Sequence, residues 1–386
     1  MIVVIRFLRR MWMKIMRDTL INSCGAQNFF VKYGKLVISV NSNLHYDLYD
    51  FAFRYFEPWL QVDKSVREDS CIALNIKPLH ECSIVDEDVG SDCFVWLKKT
   101  NDPDWRISAK KKNIDDETIF FINEREAVVG ISPDNLSVTL YVNSDSLYLG
   151  VSVLEELFIH IIIGFVIKFS EANGNLLLHA ASIKTKGFSA LIVGEGGSGK
   201  TTTLLTAMLI DKTAECISND RCFLSFDGKK FYAHGIPSTV NIRYESINSF
   251  PEFKTKIEHV DEAARSRHKI LLPHKDIVVN NIQKGAIDCI IFPKCNLPNL
   301  THCKKISPDE AIKRLADQCE SYINTDKYPH WHPFFKLPKI YNDKYVQEML
   351  TNLCASVSSY ELEWGSDFRE AYKELPINIV LGSDYK

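Results

Sequence analysis

Two apolar runs, Leu176–Lys184 and Phe188–Val193, are separated by only three residues, Thr185-Lys186-Gly187. The second run leads without pause into Gly194-Glu195-Gly196-Gly197-Ser198-Gly199-Lys200-Thr201. A connection that short forces two extended segments antiparallel, because a parallel return needs a crossover of a dozen residues or more. The chain is therefore expected to carry a β-hairpin whose second strand ends at a glycine-rich loop. Helix-compatible Thr202-Thr203-Leu204-Leu205 follows, so a helix is expected over Thr201–Leu209. Strand, glycine-rich loop and helix start are the parts of an anion cradle. Glycines let backbone N–H groups turn inward, and the helix N-terminus adds partial positive charge. The G-x-x-x-x-G-K-[ST] spacing points to the phosphates of a nucleoside triphosphate, expected to be ATP. Gly194, Glu195, Gly196, Gly197, Ser198, Gly199 and Thr202 would form the cradle. Lys200 would reach the β- and γ-phosphates, and Thr201 would offer its hydroxyl to Mg²⁺.

The hairpin permits register arithmetic. With Lys186 at the turn centre, residues whose numbers sum to about twice 186 face each other, which sets His179 opposite Val193 at the mouth of the loop. A histidine there has the right proton affinity to assist near a phosphate. Downstream, Cys216-Ile217 has the character of a buried strand, and Asp220 falls at its C-terminal end, where ligands bind in α/β sheets. A carboxylate there can hold Mg²⁺ or accept a proton from an attacking hydroxyl. Arg221, Arg243 and Lys269 are candidate phosphate or acceptor contacts, with Arg265 and Arg267 in the same basic run as Lys269. Asp227-Gly228 between Phe223–Phe226 and Lys230–His234 signals a second hairpin.

The rest of the chain divides at about residue 150. Residues 1–150 form an expected β-rich domain suited to recognising a substrate or partner. Within it, Phe30–Val40 has hairpin character around Gly34, an amphipathic helix follows before residue 60, and short strands recur over 70–149. Lys110-Lys111-Lys112 is expected in a solvated loop. Residues 151–386 form the second expected domain. Its Val153–Phe169 stretch contains Glu155, Glu156, His160 and Lys168, which suits a buried helix and not a membrane span. A net charge of −3 supplies no bulk attraction for nucleic acid. Eleven cysteines with no C-x-x-C, an odd number, suit reduced thiols in a cytoplasm better than a disulfide framework. Charges inside Met1–Arg10 break the order of a secretory signal, so residues 1–20 are expected to be peripheral. His330 and His332 in Tyr328–Pro333 lack a third ligand at metal spacing.

From His179 to Asp220 the chain resembles the catalytic domain of the HPr kinase/phosphorylase family, related in fold to ATP-dependent phosphoenolpyruvate carboxykinases. His179 stands fifteen residues before Gly194, the hairpin runs into Gly194–Thr201, and an acidic position follows at Asn219-Asp220. Similarity extends more weakly through Leu272-Pro273, Ile290–Pro293, Ser307–Ala311 and Tyr360–Gly365. The resemblance implies an α/β P-loop domain with a mixed sheet, preceded here by a smaller β-rich α+β domain. It implies that Lys200 and Thr201 bind triphosphate and metal, that His179 flanks the transferred phosphate, and that Asp220 is base and metal ligand. This chain has Asn219 where the family's first aspartate is expected, so one carboxylate covers both roles or one role is lost. The implied activity is γ-phosphoryl transfer from ATP to a hydroxyl of a peptide, protein or metabolite other than HPr. The competing expectations are a non-catalytic nucleotide-binding regulatory module and a carboxykinase-type enzyme acting on a small acid. A homo-oligomer stays open.

Overall fold

The computed structural model describes residues 26–65, 72–83, 91–97, 106–114, 116–122, 125–134, 136–148, 151–186, 188–238, 240–243, 269–272, 280–294, 302–321 and 342–365. The chain divides into two compact units, one holding the described residues through Val166 and the other those from Ile167 onward. The first is built on a nine-stranded sheet. In chain order its strands are β1 (Gln27–Tyr33), β2 (Leu36–Ser42), β3 (Gln61–Asp63), β4 (Ile72–Lys77), β5 (Ser91–Leu97), β6 (Arg106–Ile114), β7 (Glu117–Ile122), β8 (Ala127–Ile131) and β9 (Ser137–Tyr141). The spatial order is β3-β1-β2-β4-β9-β8-β7-β6-β5, parallel only where β4 meets β2 and β9. The expected hairpin around Gly34 is present: Tyr33 faces Leu36, and Gly34 takes φ 59° in the turn. Strict alternation along β4 buries Ile72, Leu74 and Ile76 on one face. Helix α1 (Leu48–Phe56) starts where the Asp47 carboxylate accepts from Asp50 N–H. Its Phe56 meets Phe158 ring to ring at 5.6 Å. Lys110-Lys111-Lys112 is not a loop. It lies inside β6, opposite Phe121, Phe120 and Ile119, because pairing with a strongly apolar neighbour outweighs the local preference of lysine for turns.

A short ribbon, β10 (Leu147–Tyr148) with β11 (Val151–Ser152), leads into helix α2 (Val153–Ala172), which stops at Asn173-Gly174 with Gly174 at φ 80°. No helix among the described residues is long and apolar enough to cross a membrane.

The second unit holds β12 (Leu176–Leu178), β13 (Ala180–Lys184), β14 (Ser189–Val193), β15 (Glu215–Ser218), β16 (Cys222–Phe226), β17 (Phe231–Gly235), β18 (Val240–Arg243), β19 (Lys269–Leu272), β20 (Lys284–Ala286), β21 (Cys289–Lys294), β22 (His302–Lys305) and β23 (Ser358–Glu363). Helices α3 (Lys200–Ile210), α4 (Pro308–Gln318) and α5 (Asp343–Ser356) complete it. A six-stranded mixed sheet runs β15-β13-β14-β21-β23-β22, a four-stranded antiparallel sheet runs β12-β16-β17-β20, and β18 pairs with β19 alone. The six-stranded sheet is buried on both faces, which explains its near-continuous apolar runs. Ala190 and Ile192 of β14 point toward Leu204, Leu205 and Ala207 of α3. Leu191 and Val193 point the other way, toward Leu224 and Ala233 of the four-stranded sheet and Leu315 and Leu353 of α4 and α5. Each such fully buried leucine contributes about 2 kcal/mol of burial free energy.

The expected hairpin is present but differs in two respects. The run Leu176–Lys184 is not one strand: β12 joins the four-stranded sheet and β13 the six-stranded one, with His179 at the bend between them. The backbone at the bend is satisfied across the chain, with His179 N–H donating to Gln318 O at 2.9 Å. The register is also one step later than the turn arithmetic sets it. Lys184 faces Ser189 and Ala180 faces Val193, so His179 is not opposite Val193. Thr185 N–H closes that turn on Phe188 O at 2.8 Å.

Candidate functional site

Strand direction gathers the candidate residues. β13 is antiparallel to β14 and to β15, and β14 is parallel to β21. The carboxyl ends of β14, β15 and β21 and the amino end of β13 therefore share one sheet edge. Gly194 leaves β14 there, Asn219-Asp220 leave β15 there, and His179 precedes β13 there. One further step of the observed register sets His179 level with Gly194.

The loop closes around its own lysine. Lys200 is buried, and its Nζ donates to Gly194 O at 2.6 Å and Glu195 O at 3.2 Å. Ser198 N–H bonds Glu195 O at 3.1 Å. Gly199 caps α3 at φ 110°, a left-handed conformation that side chains resist. At Gly194 the restriction is space: a Cβ there would meet Ser198 Oγ at 2.5 Å. Ser198 Oγ is buried without a hydrogen-bond partner among the described residues. An orphaned buried hydroxyl inside a glycine cradle fits a ligand with acceptor oxygens. Glu195, Gly196 and Gly197 are exposed, while Thr201 and Thr202 are half-buried in the first turn of α3. That turn is tied down from β23: the Trp364 indole N–H donates to Thr203 Oγ1 at 3.1 Å, and Thr203 Oγ1 donates to Gly199 O at 2.9 Å.

His179 and Asp220 are in direct contact, with Nε2 to Oδ1 at 3.3 Å. Arg221 Nη1 lies 3.7 Å from Asp220 Oδ2. Burial pushes the Asp220 carboxyl up, but the His179 hydrogen bond and the charges of Arg221, His179 and Lys200 outweigh it, and the group is held well below the usual carboxylate range. Asp220 is thus ionised at neutral pH, hydrogen-bonded to His179 and within the field of Arg221 and the loop lysine. Arg221 is anchored on its far side, its Nε donating to Glu320 Oε1 at 2.8 Å and Oε2 at 3.0 Å. Asn219 is buried beside them.

Of the remaining sequence candidates, Arg243 and Lys269 stand opposite each other at one end of the β18–β19 ribbon. Arg265, Arg267 and Tyr328–Pro333 lie outside the described residues. Among the described residues no group of three or more His, Cys, Asp or Glu side chains gathers as a metal-holding cluster. Glu320 was not visible as a site residue. It follows α4 with no motif, ninety-nine positions from its partner.

No protein-family model matches this chain, and no curated protein matches it. One solved structure with some likeness is the Hpr(Ser) kinase/phosphatase from Coxiella burnetii, at 13% identity and TM-score 0.25, over 53% of this chain and 96% of that one. A TM-score that low is too slight a likeness to assign a fold or an activity.

Proposed function

We propose that this chain is an ATP-dependent phosphotransferase of the HPr kinase-like type, acting on a hydroxyl of a peptide, protein or small molecule other than HPr. The observation that carries the reading is the contact between His179 and Asp220 within the field of Lys200, at the sheet edge where the phosphate-binding loop begins. A bare nucleotide pocket has no need of an ionised carboxylate there.

In this reading Lys200 exchanges its bonds to the Gly194 and Glu195 carbonyls for the β- and γ-phosphates. The loop amides and Ser198 Oγ receive the remaining oxygens. One carboxylate and one hydroxyl, Asp220 and Thr201, are hard oxygen donors of the kind Mg²⁺ takes alongside phosphate and water. When bound, that ion neutralises charge on the β- and γ-phosphates. The acceptor O–H gives its proton to Asp220 as the new O–P bond forms and the bond to the ADP leaving oxygen breaks. His179 shares the position and can relay that proton. Asp220 is a weak base because cations surround it, but phosphoryl transfer runs through a loose transition state, and aiming the hydroxyl matters more than basicity.

Fluorescent-ATP binding and ADP release, measured with a panel of hydroxyl acceptors, test the reading. Wild type should bind and turn over. Asp220→Asn should bind with affinity close to wild type and lose roughly 10²–10⁴-fold in transfer. Full activity in that variant would remove Asp220 from the chemistry. ATP binding with no turnover under any acceptor would favour a regulatory nucleotide-binding module, the reading that Asn219, in place of a second carboxylate, supports.

A further inference from the structure

The segment that ends α4 and runs on to Ser321 touches both neighbours of Asp220. Gln318 O receives the His179 N–H, Leu178 and Cys319 form an isolated antiparallel bridge, and Glu320 N–H donates to Leu177 O at 2.9 Å. Ser321 Oγ accepts from Leu177 N–H at 2.8 Å and lies 3.4 Å from Glu171 Oε1. The backbone that places His179 is thus held by Gln318–Ser321. The same segment sends the Glu320 side chain, only 3% exposed, to the Nε edge of Arg221. Nε lies on one edge of the guanidinium plane, and Nη1 faces Asp220. Glu320 therefore fixes the rotation of the planar group as well as its charge balance.

We propose that Glu320 is a positioning residue: it holds Arg221 so that the guanidinium stands beside Asp220, where it meets the phosphoryl group in transfer. This rests on the phosphotransferase reading above. Without Glu320, Arg221 is drawn onto Asp220 as a close ion pair, which takes the carboxylate away from His179 and from the acceptor. The defect is then one of turnover and not of nucleotide affinity, because Glu320 holds the Arg221 guanidinium, which stands beside Asp220.

The test compares wild type, Glu320→Gln, Arg221→Gln and the Glu320→Gln/Arg221→Gln double variant, using MgATP with water or the best acceptor found and a fluorescent ATP analogue for binding. Glu320→Gln should bind the analogue within about threefold of wild type and lose roughly 10–100-fold in kcat, the range seen when a supporting partner of a site residue is removed. The double variant, which leaves no lone buried charge, should be no slower than Arg221→Gln alone, since Glu320 acts only through Arg221. Additive losses in the double variant, or an unchanged kcat in Glu320→Gln, overturn the proposal while leaving the phosphotransferase reading intact. A Glu320→Gln defect confined to affinity also overturns it. If Glu320→Gln alone fails to fold, the double variant decides: a kcat below that of Arg221→Gln sinks the idea. Wild type that neither binds nor turns over ATP overturns both readings together.

Discussion

Lys200 spends its charge on two backbone carbonyls, and that arrangement makes a sharp expectation at the level of one residue. The Nζ–carbonyl bonds hold the loop shut around a buried ammonium, and a phosphate must offer that ammonium more than Gly194 and Glu195 do. A charge-assisted hydrogen bond contributes about 1.5–3 kcal/mol net, which corresponds to about 10–100-fold in affinity. Lys200→Met should therefore weaken ATP-analogue binding by that factor, measured by equilibrium titration. It should weaken AMP binding far less, because AMP lacks the β- and γ-phosphates. Equal losses for the two nucleotides would mean that the lysine serves the loop's shape and not the phosphates. Asp220 differs in kind: its low proton affinity comes from the His179 hydrogen bond together with the neighbouring charges, Arg221 and Lys200 among them, so replacing one of these partners leaves it ionised at neutral pH.

At the scale of elements, the strand–loop–helix unit depends on backbone space that only some of its glycines supply. A Cβ at Gly194 would meet Ser198 Oγ at 2.5 Å and Ser198 Cβ at 3.0 Å, whereas one at Gly196 meets nothing within 4 Å. Gly194→Ala should thus overpack the turn and destabilise the unit by about 1–3 kcal/mol. Gly196→Ala should lie within about 0.5 kcal/mol of wild type. Thermal melts without nucleotide separate the two, and equal melting temperatures would show that the loop relaxes freely at Gly194. This unit was legible in the sequence because every part of it is local: an apolar run, a short turn, a spaced set of glycines and a helix start. The hairpins at Gly34 and Asp227-Gly228 were legible for the same reason, each marked by a residue that turns where side chains resist. What escaped was non-local. The break at His179 comes from β12 and β13 choosing partners in different sheets, and nothing within Leu176–Lys184 marks that choice. The strand character of Lys110–Lys112 comes from β7 beside it. The grip of Glu320 on Arg221 joins two segments that share no pattern.

Across the whole molecule, two titratable groups outside the candidate site, half-buried His234 and buried Glu361, contribute to the acid response of the second unit in different windows. His234 bonds Ser225 Oγ through Nε2 at 2.6 Å. Burial, then the nearby Lys284 charge, lowers its pKa to about 4. Protonation is thus harder in the folded chain than in the unfolded one. As pH falls below the ordinary histidine value of about 6.5, the unfolded chain takes up the proton first, and stability declines until about pH 4, where the folded ring is protonated as well. Glu361 is fully buried; burial raises its pKa, but ion pairs with Lys294 at 2.5 Å, Lys304 at 2.7 Å and Arg314 at 2.6 Å bring it down to about 2. Its folded value lies below its unfolded one, so its contribution is present above the usual carboxylate range and is lost as pH falls from there toward 2. Denaturant midpoints should therefore fall in two stages on acidification. His234→Gln should flatten the upper stage and leave the lower one, because the amide keeps a partner for Ser225 and cannot protonate. Glu361→Gln leaves three cations around an uncharged amide and should cost about 3–5 kcal/mol at neutral pH, the range for breaking a buried pair. It should also remove most of the lower stage. If His234→Gln retains the decline between pH 6.5 and 4, the His234 imidazole is not its source, and the coupling of β17 to β16 does not govern the acid response of this unit.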